Sequence, residues 1–115
     1  MDKIFEVIQK EPQILFAYLF GSFATAKQNR LSDIDIAIYC KEKCDRWSIL
    51  KNLLRVSERK IDLVDLKQVR NNSLLLDVIR EGKVIKDHPK RALWEVRTYH
   101  KLLDFFESTR RVYGY

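Results

Sequence analysis

Gly21-Ser22 and Asp33-Ile34-Asp35 are the residues of this 115-residue chain whose types and spacing can do chemistry. Gly21 comes directly after the apolar run Ile14–Phe20. A glycine there lets the backbone turn sharply and approach a ligand with no Cβ in the way. Ser22 can cap a short helix over Ala24–Lys27, and the free N–H groups of a helix start form a ready phosphate site. Ten residues further on, Asp33 and Asp35 open the alternating stretch DIDIAIY, so on a strand both carboxylates point to one face. At ~6–7 Å and an effective dielectric near 20 they repel by ~2–3 kcal/mol. A compensating cation is needed, and Mg²⁺ suits such a set because it takes a few carboxylates together with substrate phosphates. A third carboxylate would complete a two-metal site. Lys60–Leu66 (KIDLVDL) offers Asp62 and Asp65 on opposite faces of one strand. Asp65 shares its face with Ile61 and Leu63 and reads as a strand-end or loop acid. Asp62 is the better candidate, although its face also carries Val64 and Leu66.

These residues need a sheet to hold them. Ile4, Val7 and Ile8 recur at helical spacing, and Pro12 ends that pattern. Ile14–Phe20 reads as a buried strand, Gln28–Ser32 as a loop and Asp33–Tyr39 as a second strand. An amphipathic helix is expected from about Asp45 to Ser57. The strand Lys60–Leu66 follows, then a helix over Asn72–Glu81 with Gly82 as a left-handed C-cap. Lys83–Lys86 fits a short edge strand, and a long helix is expected from about Pro89 to Arg111. Interleaved helices and strands imply an α/β or α+β fold in a single domain, residues 1–115, with a mixed sheet of about four strands.

Composition narrows the class. The charge is +6, from 22 Lys and Arg against 16 Asp and Glu, without a run of five like charges. That balance allows a phosphate-bearing ligand or RNA without requiring either. The longest apolar run has seven residues, whereas a membrane span needs ~20. The start Met1-Asp2-Lys3-Ile4-Phe5-Glu6 lacks the pattern of a signal peptide, so a soluble, cytoplasmic protein is expected. Cys40 and Cys44 form no CxxC pair, His88 and His100 lie far along the chain, and two free thiols are the reading. On the last helix, core packing is the default for Ala92, Leu93, Val96, Tyr99, His100, Leu103 and Phe106, a stripe widened by Leu102 and Phe105. The aromatic surplus there also fits a protein–protein surface.

Taken together, strand, Gly-Ser, ten residues, Asp-x-Asp strand and a further strand acid form a far more specific pattern than any one piece. The pattern resembles the nucleotidyltransferase superfamily signature, hG[GS] followed by [DE]h[DE]h. Its spacing is closest to the minimal nucleotidyltransferases, the MNT proteins. Leu31–Ala37 is similar to the family's SDIDLAV strand and Ile61–Leu66 to its VDLVDL strand.

The resemblance implies a polymerase-β-like fold and transfer of a nucleoside monophosphate, in the first instance AMP from ATP, to an acceptor hydroxyl with release of pyrophosphate. It implies that Asp33, Asp35 and Asp62 hold two Mg²⁺ ions and that Gly21 and Ser22 hold the triphosphate. It further implies an antitoxin role beside a helical HEPN-domain toxin, silenced by adenylylation. The family often reads GSxARG where this chain has Thr25 and Ala26. Lys27 can supply a cation nearby, as a point charge rather than a fork. Two other readings are an antitoxin that neutralises its partner by binding alone, and a nucleotidyltransferase acting on RNA. A homo-oligomer is compatible with all three.

Overall fold

The computed structural model describes residues 2–21 and 33–112, with side chains described to residue 107. The elements run α1 (Asp2–Lys10), β1 (Ile14–Phe20), β2 (Ile34–Cys40), α2 (Arg46–Leu54), β3 (Ile61–Asp65), α3 (Asn72–Glu81), β4 (Lys83–Lys86) and α4 (Lys90–Val112). The short helix expected over Ala24–Lys27 and the Gln28–Ser32 loop lie outside the described residues.

The strands form one mixed sheet in the order β3-β2-β1-β4. β1 pairs antiparallel with both β2 and β4, and β2 pairs parallel with β3 through the α2 crossover. The central strand β1 is apolar throughout because both its faces are covered. On one face Ile4 and Ile8 of α1, with Ile49 and Leu53 of α2, pack on Leu19, Ile36, Ile38 and Leu63. On the other, Phe16, Tyr18, Phe20 and Ala37 meet Val78 of α3 and Trp94 of α4. Phe16 stacks on Tyr39 at 4.6 Å, and the Trp94 ring lies 5.5 Å from that of Phe16. Asp45 and Asn71 cap α2 and α3, their side chains accepting from the N–H of Ser48 and Leu74.

Two expectations are corrected. Gly82 is extended, with φ −66° and ψ 142°, rather than left-handed. The chain passes straight from α3 into β4, and glycine is needed for a different reason: a Cβ there would overlap the Val78 carbonyl. The stripe on α4 is also turned. Ala92, Leu93, Val96, Tyr99, His100 and Leu103 are exposed; of the expected stripe Leu102 is buried and Phe106 half-buried, and Trp94 packs with the sheet beside them. A polar contact helps to fix that rotation. The Tyr18 hydroxyl donates to Glu95 at 2.5 Å, and Arg91 holds the same carboxylate at 2.8 Å while pairing with Asp87. Burial, then the bond to Glu95, pushes the Tyr18 hydroxyl well above its ordinary pKa.

Tyr18→Phe removes one hydrogen bond and leaves Glu95 paired with Arg91, so the expected cost is about 1 kcal/mol. Urea unfolding monitored by Trp fluorescence checks it.

Candidate active site

The candidate acids gather where β1 ends and β2 and β3 begin. Alternation puts Asp35 on the same face as Ala37 and Tyr39, and the β2–β3 register sets it directly beside Asp62. Parallel strands lie about 4.8 Å apart, so this cross-strand pair is closer than two acids on one strand. Asp33 precedes β2 and is exposed, Asp35 is half-buried, and Asp62 is exposed. Burial, then the charges of Asp62 and Asp33, raises the Asp35 carboxyl above the ordinary carboxylate range. The third acid is therefore Asp62 by position. Asp65 is buried, and its carboxylate accepts from the N–H of Lys67 at 3.0 Å, closing the turn after β3. It is a structural acid, as its place at the strand end implied.

Gly21 sits on the other side of Asp35. Phe20 pairs with Asp35 across β1 and β2, and Gly21 follows with φ +71°, in the left-handed region. A Cβ on Gly21 would overlap Oδ2 of Asp35. The glycine thus makes the turn and leaves room for the carboxylate at once. Ser22, Thr25, Ala26 and Lys27 lie outside the described residues.

The donor set fits a hard divalent cation in its chemistry, because three carboxylates are brought to one sheet end and the middle one is destabilised by the other two. Among the described residues no group of three or more acid, His or Cys side chains is closed up tightly enough to hold an ion.

One flank of the site had no signal in the sequence. A groove of about 270 Å³ runs along the outer side of β3, from Asp62 to Asp65, walled by Arg46, Gln68 and Val69. Its walls come from α2 and from the turn after β3, far apart in a linear reading.

A mixed sheet presenting Asp33 and Asp35 beside a left-handed glycine turn, with a third acid on the parallel neighbour, defines a nucleotidyltransferase. The chain belongs to the family described as polymerase beta, nucleotidyltransferase, whose model matches residues 2–91.

Among its relatives is a protein adenylyltransferase, MntA, from Shewanella oneidensis, 34% identical over 86 residues. That match covers 71% of this chain and 61% of the relative, so the chain spans rather less than two thirds of that protein's length. The fold is also similar to a crystallised toxin–antitoxin with AMP-PNP (TM-score 0.80, 28% identity, 96% of this chain and 92% of that one). Another similar structure is a tri-AMPylated Shewanella oneidensis HEPN toxin in complex with MNT antitoxin (TM-score 0.72, 26% identity, 96% and 89%).

Proposed function

We propose that this protein transfers AMP from ATP to a hydroxyl of a HEPN-domain partner, acting as the antitoxin of the pair. The carrying observation is the Asp35 carboxylate held between Asp33 and Asp62 and backed by the left-handed Gly21. The similarity to a toxin–antitoxin crystallised with AMP-PNP and to a complex of tri-AMPylated HEPN toxin with MNT antitoxin supports the choice of nucleotide and acceptor. No helix among the described residues is long and apolar enough to cross a membrane. With Cys40 and Cys44 both free thiols, this is consistent with a cytoplasmic site of action.

Asp33, Asp35 and Asp62 would hold Mg²⁺, which supplies an acidified acceptor hydroxyl and charge neutralisation on the leaving pyrophosphate. The remaining work falls to the chain. Gly21 and Ser22 would bind and orient the triphosphate, and Lys27 would supply a cation to it. Asp62, exposed on β3 and two strands from Gly21, would lie nearest the acceptor hydroxyl, a role the family resemblance supports. The acceptor oxygen bonds to the α-phosphorus as the bond to pyrophosphate breaks, and the acceptor proton is lost. Rate comes mostly from position and electrostatics.

Incubation with ATP, Mg²⁺ and the cognate HEPN-domain protein, followed by intact mass measurement, tests the reading. One or more AMP-sized increments on the partner are expected, and none with the Asp33→Asn/Asp35→Asn variant. An unmodified partner, or increments that persist in the variant, would overturn it.

A further inference from the structure

We infer that the outer face of α2 is a binding site for single-stranded nucleic acid, with Trp47 stacking on a base and Arg46, Lys51 and Arg55 holding phosphates. The site is separate from the acid cluster, and the inference does not rest on the transferase reading.

The face is defined by how α2 packs. Ile49 and Leu53 are fully buried against the sheet, with Leu50 beside them. The residues left exposed between Arg46 and Arg55 are Arg46, Trp47, Lys51, Leu54 and Arg55, so the face carries three cations, two apolar side chains and no acid. A solvated helix face ordinarily intersperses both signs. Among the described residues, none of these three cations takes part in an ion pair. The acid next to them in the chain, Asp45, is turned to the start of the helix, where it accepts from the Ser48 N–H. Trp47 is 72% exposed and Leu54 46%. An indole left in water is apolar area that the fold itself does not use.

Spacing and charge select the occupant. Helix residues four apart lie one above the other, about 6 Å along the axis. Trp47, Lys51 and Arg55 form such a row, with Leu54 alongside and Arg46 at its start. An open ring in line with evenly stepped cations suits a chain in which bases and phosphates repeat together. Aromatic stacking beside a positive track is how single strands are held without sequence preference. In a duplex the bases are already stacked on one another and offer the ring no face. An acidic protein surface would answer the cations, but a tryptophan anchoring a protein interface fills a pocket. The net charge of +6 favours a polyanion as well.

This face lies across the sheet from the acid cluster. Ile49 and Leu53 pack with Leu19, Ile36, Ile38 and Leu63, whereas Asp35 shares its side of β2 with Ala37 and Tyr39, which belong to the other core. Only Arg46 reaches the sheet edge, where it also walls the groove along β3.

Fluorescence anisotropy of labelled oligo(U), titrated with the full chain at several salt concentrations without ATP or Mg²⁺, tests the inference. Oligo(dT) and a duplex of the same length are run beside it. With three phosphates neutralised, log Kd should rise with log salt at a slope of about 2. Trp47→Ala should raise Kd about five-fold or more with that slope unchanged, and Trp47→Phe should recover part of the loss. Lys51→Gln/Arg55→Gln should lower the slope to about 0.7. All three side chains are exposed, so these variants should fold as wild type and keep its Kd for AMP-PNP with Mg²⁺. Binding of both single strands, or of either alone, supports the inference and identifies the source as RNA or DNA.

Wild-type affinity in Trp47→Ala would overturn it, as would a duplex bound as tightly as the single strands. Polyglutamate competing as well as oligo(U) would assign the face to an acidic protein and overturn it. Loss of affinity for the cognate HEPN-domain protein in Trp47→Ala, with oligo(U) unbound, would assign the face to that partner. Self-association that Trp47→Ala abolishes, with oligo(U) unbound, would assign it to a second copy. Either of these results overturns the inference too.

Discussion

Asp35→Asn should abolish AMP transfer, by a thousand-fold or more, and yet make the ligand-free protein more stable at neutral pH. The two effects have one cause. Asp35 is half-buried between Asp33 and Asp62, and its folded-state pKa is raised by burial first and by those two charges next. A carboxylate whose folded pKa lies above its unfolded value contributes stability at low pH and loses it as pH rises through the folded pKa. At pH 7–8 the ionised group is therefore a net cost to the fold. Asparagine keeps the shape and removes the charge.

The thermal midpoint of the variant without Mg²⁺ and ATP should rise by a few degrees, with a flatter pH dependence than wild type between acid and neutral pH. Saturating Mg²⁺ and AMP-PNP should reverse the order, because ligands that bind only the native wild type stabilise it by mass action. Scanning calorimetry at pH 5 and pH 7.5, with and without these ligands, gives all four values. A variant less stable than wild type at pH 7.5 without ligand would contradict the argument.

Gly21→Ala should be the most damaging single-methyl change near the site. Alanine at φ +71° costs about 1–2 kcal/mol in backbone strain alone. The added Cβ also meets Oδ2 of Asp35, so either the carboxylate turns or β1 and β2 separate at their ends. Both responses displace the carboxylate at the centre of the acid cluster, and a misplacement near 1 Å can cost ~100-fold in rate. Transfer should fall by at least that factor, with a loss of about 1–3 kcal/mol in urea unfolding. Gly82→Ala is the informative control. It also overlaps a backbone carbonyl, that of Val78, but away from the acids. It should lower stability while leaving the kcat of the folded fraction near wild type.

Much of the architecture follows from local pattern. The alternation in DIDIAIY specifies a strand with Asp33 and Asp35 on one face. The unbroken apolar ILFAYLF specifies a central strand covered twice. The end of α1 near Pro12 and the caps Asp45 and Asn71 are all local chemistry, set by residues within one turn of each boundary. The same locality explains the misreadings. Apolar spacing on α4 marks which residues could face a core, and the stripe through Leu93, Val96 and Leu103 satisfies that rule while lying exposed. The actual rotation is chosen by Trp94 entering the Phe16, Tyr18 and Tyr39 cluster and by Glu95 meeting Tyr18, partners more than 50 residues away in the chain. Gly82 was likewise a turn by residue type, and extended because β4 begins at the next residue.

By itself the sequence determined the two-residue spacing of Asp33 and Asp35, the Gly-Ser pair separated from them by ten residues, and the choice of Asp62 over Asp65 by strand parity. These depend on alternation within one strand, which a linear chain already contains. Tertiary structure decided what lies between strands. The parallel register seats Asp62 beside Asp35, the antiparallel one brings Gly21 against its carboxylate, and α2 and the turn after β3 wall a groove that reaches Asp62. Register is a relation between distant segments, set by how their side chains share one core, and no single segment carries it.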